Sequence, residues 1–214
     1  MTPIQLYSLA TPNGQKIAIA LEELALPYQA HRIDIRKDEQ FSEGYLRINP
    51  NGKIPTIIDP EGPDGKELIL YESGAILLYL AEKSGKLPST FCAERVETTK
   101  WIIWQAANVG PMFGRFGHFY AMRNHVDHDI IQYFADNVHQ LLEVLELQLQ
   151  NNTYVLGEQY SIADIAIFPW IDALEWAYKS HDYLQMKEYE AMYQWYQECL
   201  QKPSTIRGKQ VTPY

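Results

Sequence analysis

Three short stretches of this sequence hold residues able to bind and activate a small anionic ligand. The first is Thr11-Pro12-Asn13-Gly14, where a β-like run gives way to a helical one. The N-terminus of a helix offers N–H groups without intrahelical partners and a partial positive charge, which suit an anion such as a thiolate. Thr11 and Asn13 add side-chain hydrogen bonds, and Pro12 is tolerated in the first helical turn. Ordinary capping by Thr11 explains the same residues without a ligand. The second stretch is Ile54-Pro55, an X–Pro pair at which a cis bond is accessible. A cis bond here would leave the Ile54 N–H and C=O to pair with a peptide-like ligand as an added strand does. The third is Glu72-Ser73, which opens a helix. The Ser73 N–H and hydroxyl suit a carboxylate and Glu72 suits an amine, so a ligand with an α-amino acid group meets both partners. An N-cap serine beside a first-turn acid is the alternative that needs no ligand.

Other reactive residue types point away from chemistry of their own. Cys92 and Cys199 are far apart and outside any C-x-x-C pattern, so both read as structural or incidental thiols. His118, His125, His128 and His139 show no H-x-x-x-H spacing, and no metal site is expected. Tyr7 lies in a strand-like run and reads as core, and Trp101, Trp104, Trp170, Trp176 and Trp195 read as packing residues of helices. Ser161-Ile162-Ala163-Asp164 reads as a capping box with Asp in the usual Glu position, with Tyr160 and Ile165 as its hydrophobic staple. The net charge of −9 argues against nucleic acid as the main partner, because phosphates need a positive surface. No apolar run approaches the roughly 18 residues of a bilayer span. Met1-Thr2-Pro3-Ile4-Gln5 has no signal-peptide character, and a soluble cytoplasmic protein without membrane partners is expected.

The elements that must position these stretches follow from the periodicity. Ile4 to Tyr7 alternates with period two, and Lys16 to Leu24 places apolar residues 17, 20, 21 and 24 on one helical face. Tyr28 to Ile35 reads as a second strand, completing a β-α-β unit with parallel strands. Lys53 to Asp59 and Glu67 to Leu70 read as a hairpin around Pro60-Glu61-Gly62-Pro63-Asp64-Gly65, and a helix runs from Ala75 to Lys83. The order β-α-β then β-β-α is thioredoxin-like. After the linker-like Ser84 to Ser89 the strand signals stop. Helices are predicted from Cys92 to Ala107 (broken near Gly110-Pro111), from about Asp129 to Gln150 through Leu141, Leu142, Leu145 and Leu149, from Ser161 to about Tyr178, and from about Met186 to Leu200. The fold class is thus an α/β thioredoxin-like N-terminal domain plus an all-α C-terminal domain, with boundaries 1–84, a linker 85–91, and 92–214.

With Lys53-Ile54-Pro55, Glu72-Ser73-Gly74-Ala75-Ile76-Leu77-Tyr79-Leu80 and Ser161-Ile162-Ala163-Asp164 in order, the sequence resembles the glutathione transferase family over nearly its whole length. Thr11-Pro12-Asn13-Gly14 with Lys16-Ile17, Gln40-Phe41, and Trp104-Gln105 with Gly110-Pro111-Met112 are similar to the bacterial Nu class, whose members are glutathione-dependent disulfide-bond oxidoreductases. The resemblance implies glutathione as cosubstrate and no metal. It makes Thr11 and Asn13 the catalytic contacts to the glutathione sulfur, and Gln40, Lys53, Ile54, Pro55, Glu72 and Ser73 further glutathione-binding residues. It also implies a homodimer, a small disulfide or electrophilic substrate, and room for two glutathione units. Phe113, Arg115, His118, Phe119 and Arg123 are expected to wall the second of these. The Nu pattern calls for an arginine near Tyr133, and this sequence has none there. Conjugation of glutathione to electrophiles, peroxidase activity, and a non-enzymatic glutathione-binding role are the other readings.

Overall fold

A computed structural model describes residues 2–87 and 92–214, so residues 88–91 of the predicted linker lie outside the described residues. The chain forms two compact units, Met1–Arg95 with Lys202–Tyr214, and Val96–Gln201. The last thirteen residues thus pack with the first unit, although sequence order groups them with the helical half. Close packing explains this. The short helix α9 (Pro203–Gly208) lies on α1 (Pro12–Glu23) so tightly that a Cβ on Gly208 would fall 2.7 Å from the Ile19 backbone.

In the first unit, β1 (Ile4–Ser8), β2 (Tyr28–Arg32), β3 (Thr56–Asp59) and β4 (Leu68–Tyr71) form one sheet in the order β2-β1-β3-β4. β1 pairs with β2 in parallel, while β3 runs antiparallel to both β1 and β4. This is the thioredoxin-like arrangement expected from the sequence. A short helix α2 (Glu43–Leu46) precedes β3, and α3 (Ser73–Lys83) follows β4. The alternation of β1 buries Ile4, Leu6 and Ser8 on one face. Tyr7 points to the other face, half-buried, and its ring stacks on His31 at 4.6 Å, so it is not a core residue. α3 is fixed to β3 through buried Asp59, which pairs with Lys83 at 2.6 Å and accepts a hydrogen bond from the Tyr79 hydroxyl at 2.5 Å.

The second unit is helical, with α4 (Ala93–Trp104) entering it across the boundary at Arg95. No break occurs at Gly110-Pro111. A π-helical turn over Gln105–Val109 joins α4 to α5 (Gly110–Ala121), and Gly110 itself is right-handed helical. A Cβ on Gly110 would lie 3.1 Å from Gln105 Nε2, whereas the Trp170 ring stands at ordinary contact distance, 3.4–3.6 Å, from both Gly110 and Gly114. Pro111 sits in the first turn of α5, where a missing N–H costs little. α6 (His128–Leu149) buries Ala135, Val138, Leu142, Leu145 and Leu149 at alternating three- and four-residue steps, and Leu141 is only half-buried at the edge of that stripe. α7 (Ile162–Asp172) is buried along its whole length and continues as a π turn through Ala177; α8 (Glu190–Leu200) closes the unit. Trp101, Trp170 and Trp195 are core residues, whereas Trp176 is exposed and donates to Asp172 at 2.8 Å.

The capping box at Ser161 is present, and Asp164 is fully buried. Its carboxylate accepts from the Ser161 N–H and hydroxyl at 2.9 Å, from the Val155 N–H at 2.8 Å and from Trp195 Nε1 at 2.9 Å. Tyr160 sets its ring edge-on to Tyr154. Asp164→Ala should lower the urea unfolding free energy by about 3 kcal/mol or more, the sum of a lost cap and buried donors left unpaired. Trp195→Phe, which removes one donor to that carboxylate and part of a buried ring system, should cost about 2 kcal/mol or more by the same measurement.

Candidate active site

Sheet register brings the three candidate stretches together. Thr56, the residue after Pro55, is opposite Tyr7 on one side and Tyr71 on the other. The end of β1, the start of β3 and the end of β4 therefore lie at the same edge of the first unit. From there the chain leads directly into Thr11 and α1, back into Ile54-Pro55, and on into Glu72-Ser73 and α3.

At the α1 terminus the Thr11 hydroxyl oxygen accepts from the Gly14 N–H at 3.3 Å. That caps the helix and leaves the hydroxyl proton available to a ligand. The turn is tight: a Cβ on Gly14 would lie 1.9 Å from the Leu9 carbonyl oxygen. It is also held from outside. The Ala10 N–H donates to the Thr212 carbonyl at 2.9 Å, and buried Gln15 donates through Nε2 to the Ala10 carbonyl at 3.2 Å. The C-terminal tail is thereby part of the frame beneath Thr11.

The Ile54–Pro55 bond is cis. The turn before it is held by Tyr45 and Asn49, whose hydroxyl and amide donate to the Lys53 carbonyl at 2.6 and 2.7 Å and also reach the Thr56 hydroxyl at 2.9 and 3.1 Å. Gly52, at φ +57°, has the Phe41 ring 2.7 Å from where a side chain would begin, which seats Gln40-Phe41 against this turn. Gln40 is buried, and its side-chain oxygen has no hydrogen-bond partner among the described residues. Lys53 is exposed.

Glu72 is the N-cap of α3 at φ +71° and ψ +107°, a conformation rarely adopted by a residue with a side chain, and its carboxylate makes no capping bond. Its backbone is bent to start the helix while its exposed carboxylate is left for other partners.

The residue whose role sequence reasoning missed is Lys16. It is fully buried, and its Nζ donates to Asn13 Oδ1 at 2.8 Å and to Ser73 Oγ at 3.3 Å. It therefore links the terminus of α1 to that of α3. The signal was its position: residues 13, 16, 17 and 20 share a helix side, so a lysine at 16 falls beside the apolar stripe. Burial pulls its pKa from 10.5 down to about 7, while the nearby Glu72 carboxylate works the other way.

The residues expected to wall a second site lie on α5 or just after it, in the other unit. Phe113 is fully buried and belongs to that unit's core, so it presents no surface to a ligand. Arg115 and Arg123 are exposed, Arg123 Nε donates to His118 Nε2 at 3.0 Å, and Phe119 stacks on Phe134. Cys199 is buried and Cys92 half-buried, neither within the Thr11–Gly14 turn. No group of metal-ligating side chains, and no helix long and apolar enough to cross a membrane, occurs among the described residues.

Comparisons with known proteins agree with this fold. Family models for the glutathione S-transferase N-terminal domain and C-terminal domain match residues 10–83 and 116–203. The disulfide-bond oxidoreductase YfcG of Escherichia coli is 42% identical over 94% of this chain and 92% of its own length. A glutathione transferase of Burkholderia graminis, solved with two glutathione molecules bound per subunit, superposes with a TM-score of 0.94 at 41% identity over 97% of this chain and 87% of that one. Another, from Pseudomonas putida, holds one glutathione disulfide per subunit and superposes at 0.92 with 40% identity over 97% and 91%.

The low Lys16 pKa has a consequence for stability. Between pH about 7 and 10.5 the unfolded chain keeps a proton on this side chain that the folded chain has released. Its contribution to stability therefore rises with pH across that window. The urea midpoint of the wild type, taken relative to Lys16→Met, should increase from pH 7 to pH 10; a pH-independent difference would contradict the buried, depressed ammonium.

Proposed function

The chain belongs to the glutathione S-transferase family, and we propose that it is a glutathione-dependent disulfide-bond oxidoreductase whose reacting sulfur is that of bound glutathione. The observation that carries this reading is the meeting of two helix N-termini and the cis Ile54-Pro55 turn at one end of the sheet's strands, with no cysteine in the Thr11–Gly14 turn. Ser73 at the start of α3 and the free carboxylate of Glu72 match the carboxylate and amine of the γ-glutamyl group. The Ile54 backbone suits the peptide portion. Gln40 is buried against the turn before Pro55, and Lys53 stands by as a cation for a carboxylate. Thr11 and Asn13 are left to face the sulfur.

The chemistry follows from these roles. Hydrogen bonds from Thr11 and Asn13, with the positive end of α1, favour the thiolate of glutathione over its thiol. The thiolate attacks one sulfur of a substrate disulfide, forming a mixed disulfide and expelling the other half as a thiolate, which takes up a proton. A second glutathione thiolate then attacks the glutathione sulfur of the mixed disulfide, releasing the remaining substrate thiol and glutathione disulfide. Two glutathiones are oxidised and one disulfide is reduced. Every sulfur that changes bonding belongs to ligand or substrate. The same bound thiolate could attack an electrophilic carbon, but the disulfide-bond oxidoreductase YfcG, 42% identical, favours the first reading.

The proteins solved with two glutathiones or with glutathione disulfide support room for two units here. A homodimer acting in the cytoplasm completes the proposal.

Glutathione-dependent reduction of 2-hydroxyethyl disulfide should greatly exceed conjugation of a chlorinated aromatic acceptor; the reverse ratio would sink the assignment. Thr11→Ala and Asn13→Ala should each lower kcat/KM for disulfide reduction about 10- to 100-fold, as expected for one charge-assisted hydrogen bond. Replacing Cys92 and Cys199 together should leave turnover of the folded protein intact.

A further inference from the structure

We propose that Lys16 sets the polarity of the site: by donating to the acceptor atoms of both Asn13 and Ser73, it turns both residues into hydrogen-bond donors toward the ligand and so selects a ligand that is anionic at its sulfur and at its α-carboxylate. The inference rests on the glutathione reading above and deepens it, because it names the residue that makes the pocket prefer thiolate over thiol.

An amide side chain can face a ligand with either its oxygen or its nitrogen, and the two choices have opposite electrostatic meaning. The ammonium form of Lys16, which prevails below about pH 7 and to higher pH once an anionic ligand is bound beside it, has hydrogens to give and no lone pair to receive one. At 2.8 Å from Asn13 Oδ1 it fixes which end of the amide is taken. The Nδ2 hydrogens are left for the sulfur, where an outward-facing Oδ1 would repel a thiolate. The same logic holds at the other helix. Ser73 Oγ receives from Lys16 at 3.3 Å, so the hydroxyl hydrogen is free to join the Ser73 N–H in facing a carboxylate.

The anchor is rigid. Lys16 lies in the continuously buried run Gly14–Leu21 of α1. Holding a cation there is unfavourable in itself. Glu72 is the opposing charge beside it, and a bound thiolate and carboxylate add further negative potential that favours the ammonium form. Lys16 touches neither the sulfur nor the carboxylate in this scheme. It is a positioning residue, and its effect reaches the ligand through Asn13 and Ser73.

A merely structural tie between α1 and α3 would support all ligands of the site equally, which gives the test. In the full-length protein, the apparent pKa of the bound glutathione thiol is read from thiolate absorbance for the wild type, Lys16→Met and Lys16→Gln. Affinities are measured for glutathione and for S-methylglutathione, whose sulfur cannot ionise. Both variants should raise the bound thiol pKa by about one unit, and the preference for glutathione over its S-methyl analogue should fall about tenfold. An unchanged thiol pKa, or equal loss of both ligands, in a folded variant overturns the proposal. Should both variants fail to fold, the side-chain amide resonance of Asn13 in the wild-type complex decides: its Nδ2 protons should shift as the bound thiol ionises, and their indifference overturns the proposal. Failure of the underlying reading is distinct, because the wild type would then show no depression of the glutathione thiol pKa before any variant is made.

Discussion

Thr56 is paired on both sides, to Tyr7 of β1 and to Tyr71 of β4, and its hydroxyl is held by Tyr45 and Asn49. Everything proposed for the site depends on that double pairing. A strand shifted by one residue would turn Ile57 out of the core, where it is fully buried, and so the register is set by the hydrophobic face rather than by the ligand. Once it is set, three chain segments that have little in common arrive at the same place. Two are helix starts and the third is the turn at Pro55. The ligand chemistry is a by-product of folding a four-stranded sheet with one buried face, refined by residues that fix the loose ends: Tyr45 and Asn49 at the turn, Thr212 behind Ala10, and Asp59 beneath α3.

Buried charge is handled differently inside and at the site. Asp164 is surrounded by donors from its own capping box, a neighbouring backbone N–H and an indole, and nothing of its acceptor capacity is left for anything else. Asp59 is likewise closed by Lys83, Tyr79 and the Glu61 N–H. These are structural solutions to the cost of desolvating a carboxylate. Lys16 is the contrasting case. Its partners, Asn13 and Ser73, are themselves only half-buried and each has hydrogens to offer outward. A charge that is satisfied through groups pointing at a ligand has influence there; a charge satisfied entirely inward has none.

Much of this was legible in the sequence, and what was not has physical reasons. The order of strands and helices along the chain and the capping box were readable because each is a pattern with one dominant structural outcome. The cis bond at Pro55 was readable only from its place in the thioredoxin-like order, since an X–Pro pair is trans by default. The continuous passage from α4 into α5 was not, since Gly110-Pro111 is a breaker by local chemistry. Yet Gly110 is right-handed helical here, and Pro111 falls in the first turn of α5, where a missing N–H costs little. Burial of Phe113, by contrast, had a signal: Phe113, Phe116 and Tyr120 repeat at three- and four-residue steps, and that stripe is buried at Phe113 and Phe116. The return of α9 and the tail to the first unit is a long-range packing event with no local signature. Lys16 was visible as a lysine out of place, but Asn13 and Ser73, to which it donates, lie on different helices, and a pair 57 residues apart has no spacing rule.

The absence of a cysteine from the Thr11 turn is consistent with how strongly such a site ought to act on sulfur. A thiolate is the attacking species, so lowering the thiol pKa raises its abundance, yet each unit of lowering also weakens it as a nucleophile. The best attacking thiol has a pKa near the surrounding pH, which from an ordinary thiol value of about 8.5 is a fall of only one to two units. A lysine in direct contact with the sulfur would overshoot that mark and hold the leaving thiolate as firmly as the attacking one. Neutral donors aimed by a lysine one step removed supply a smaller push. They also fit a cycle in which the sulfur must form a disulfide, lose it to a second thiol and depart, because no bond to the protein has to be broken at the end.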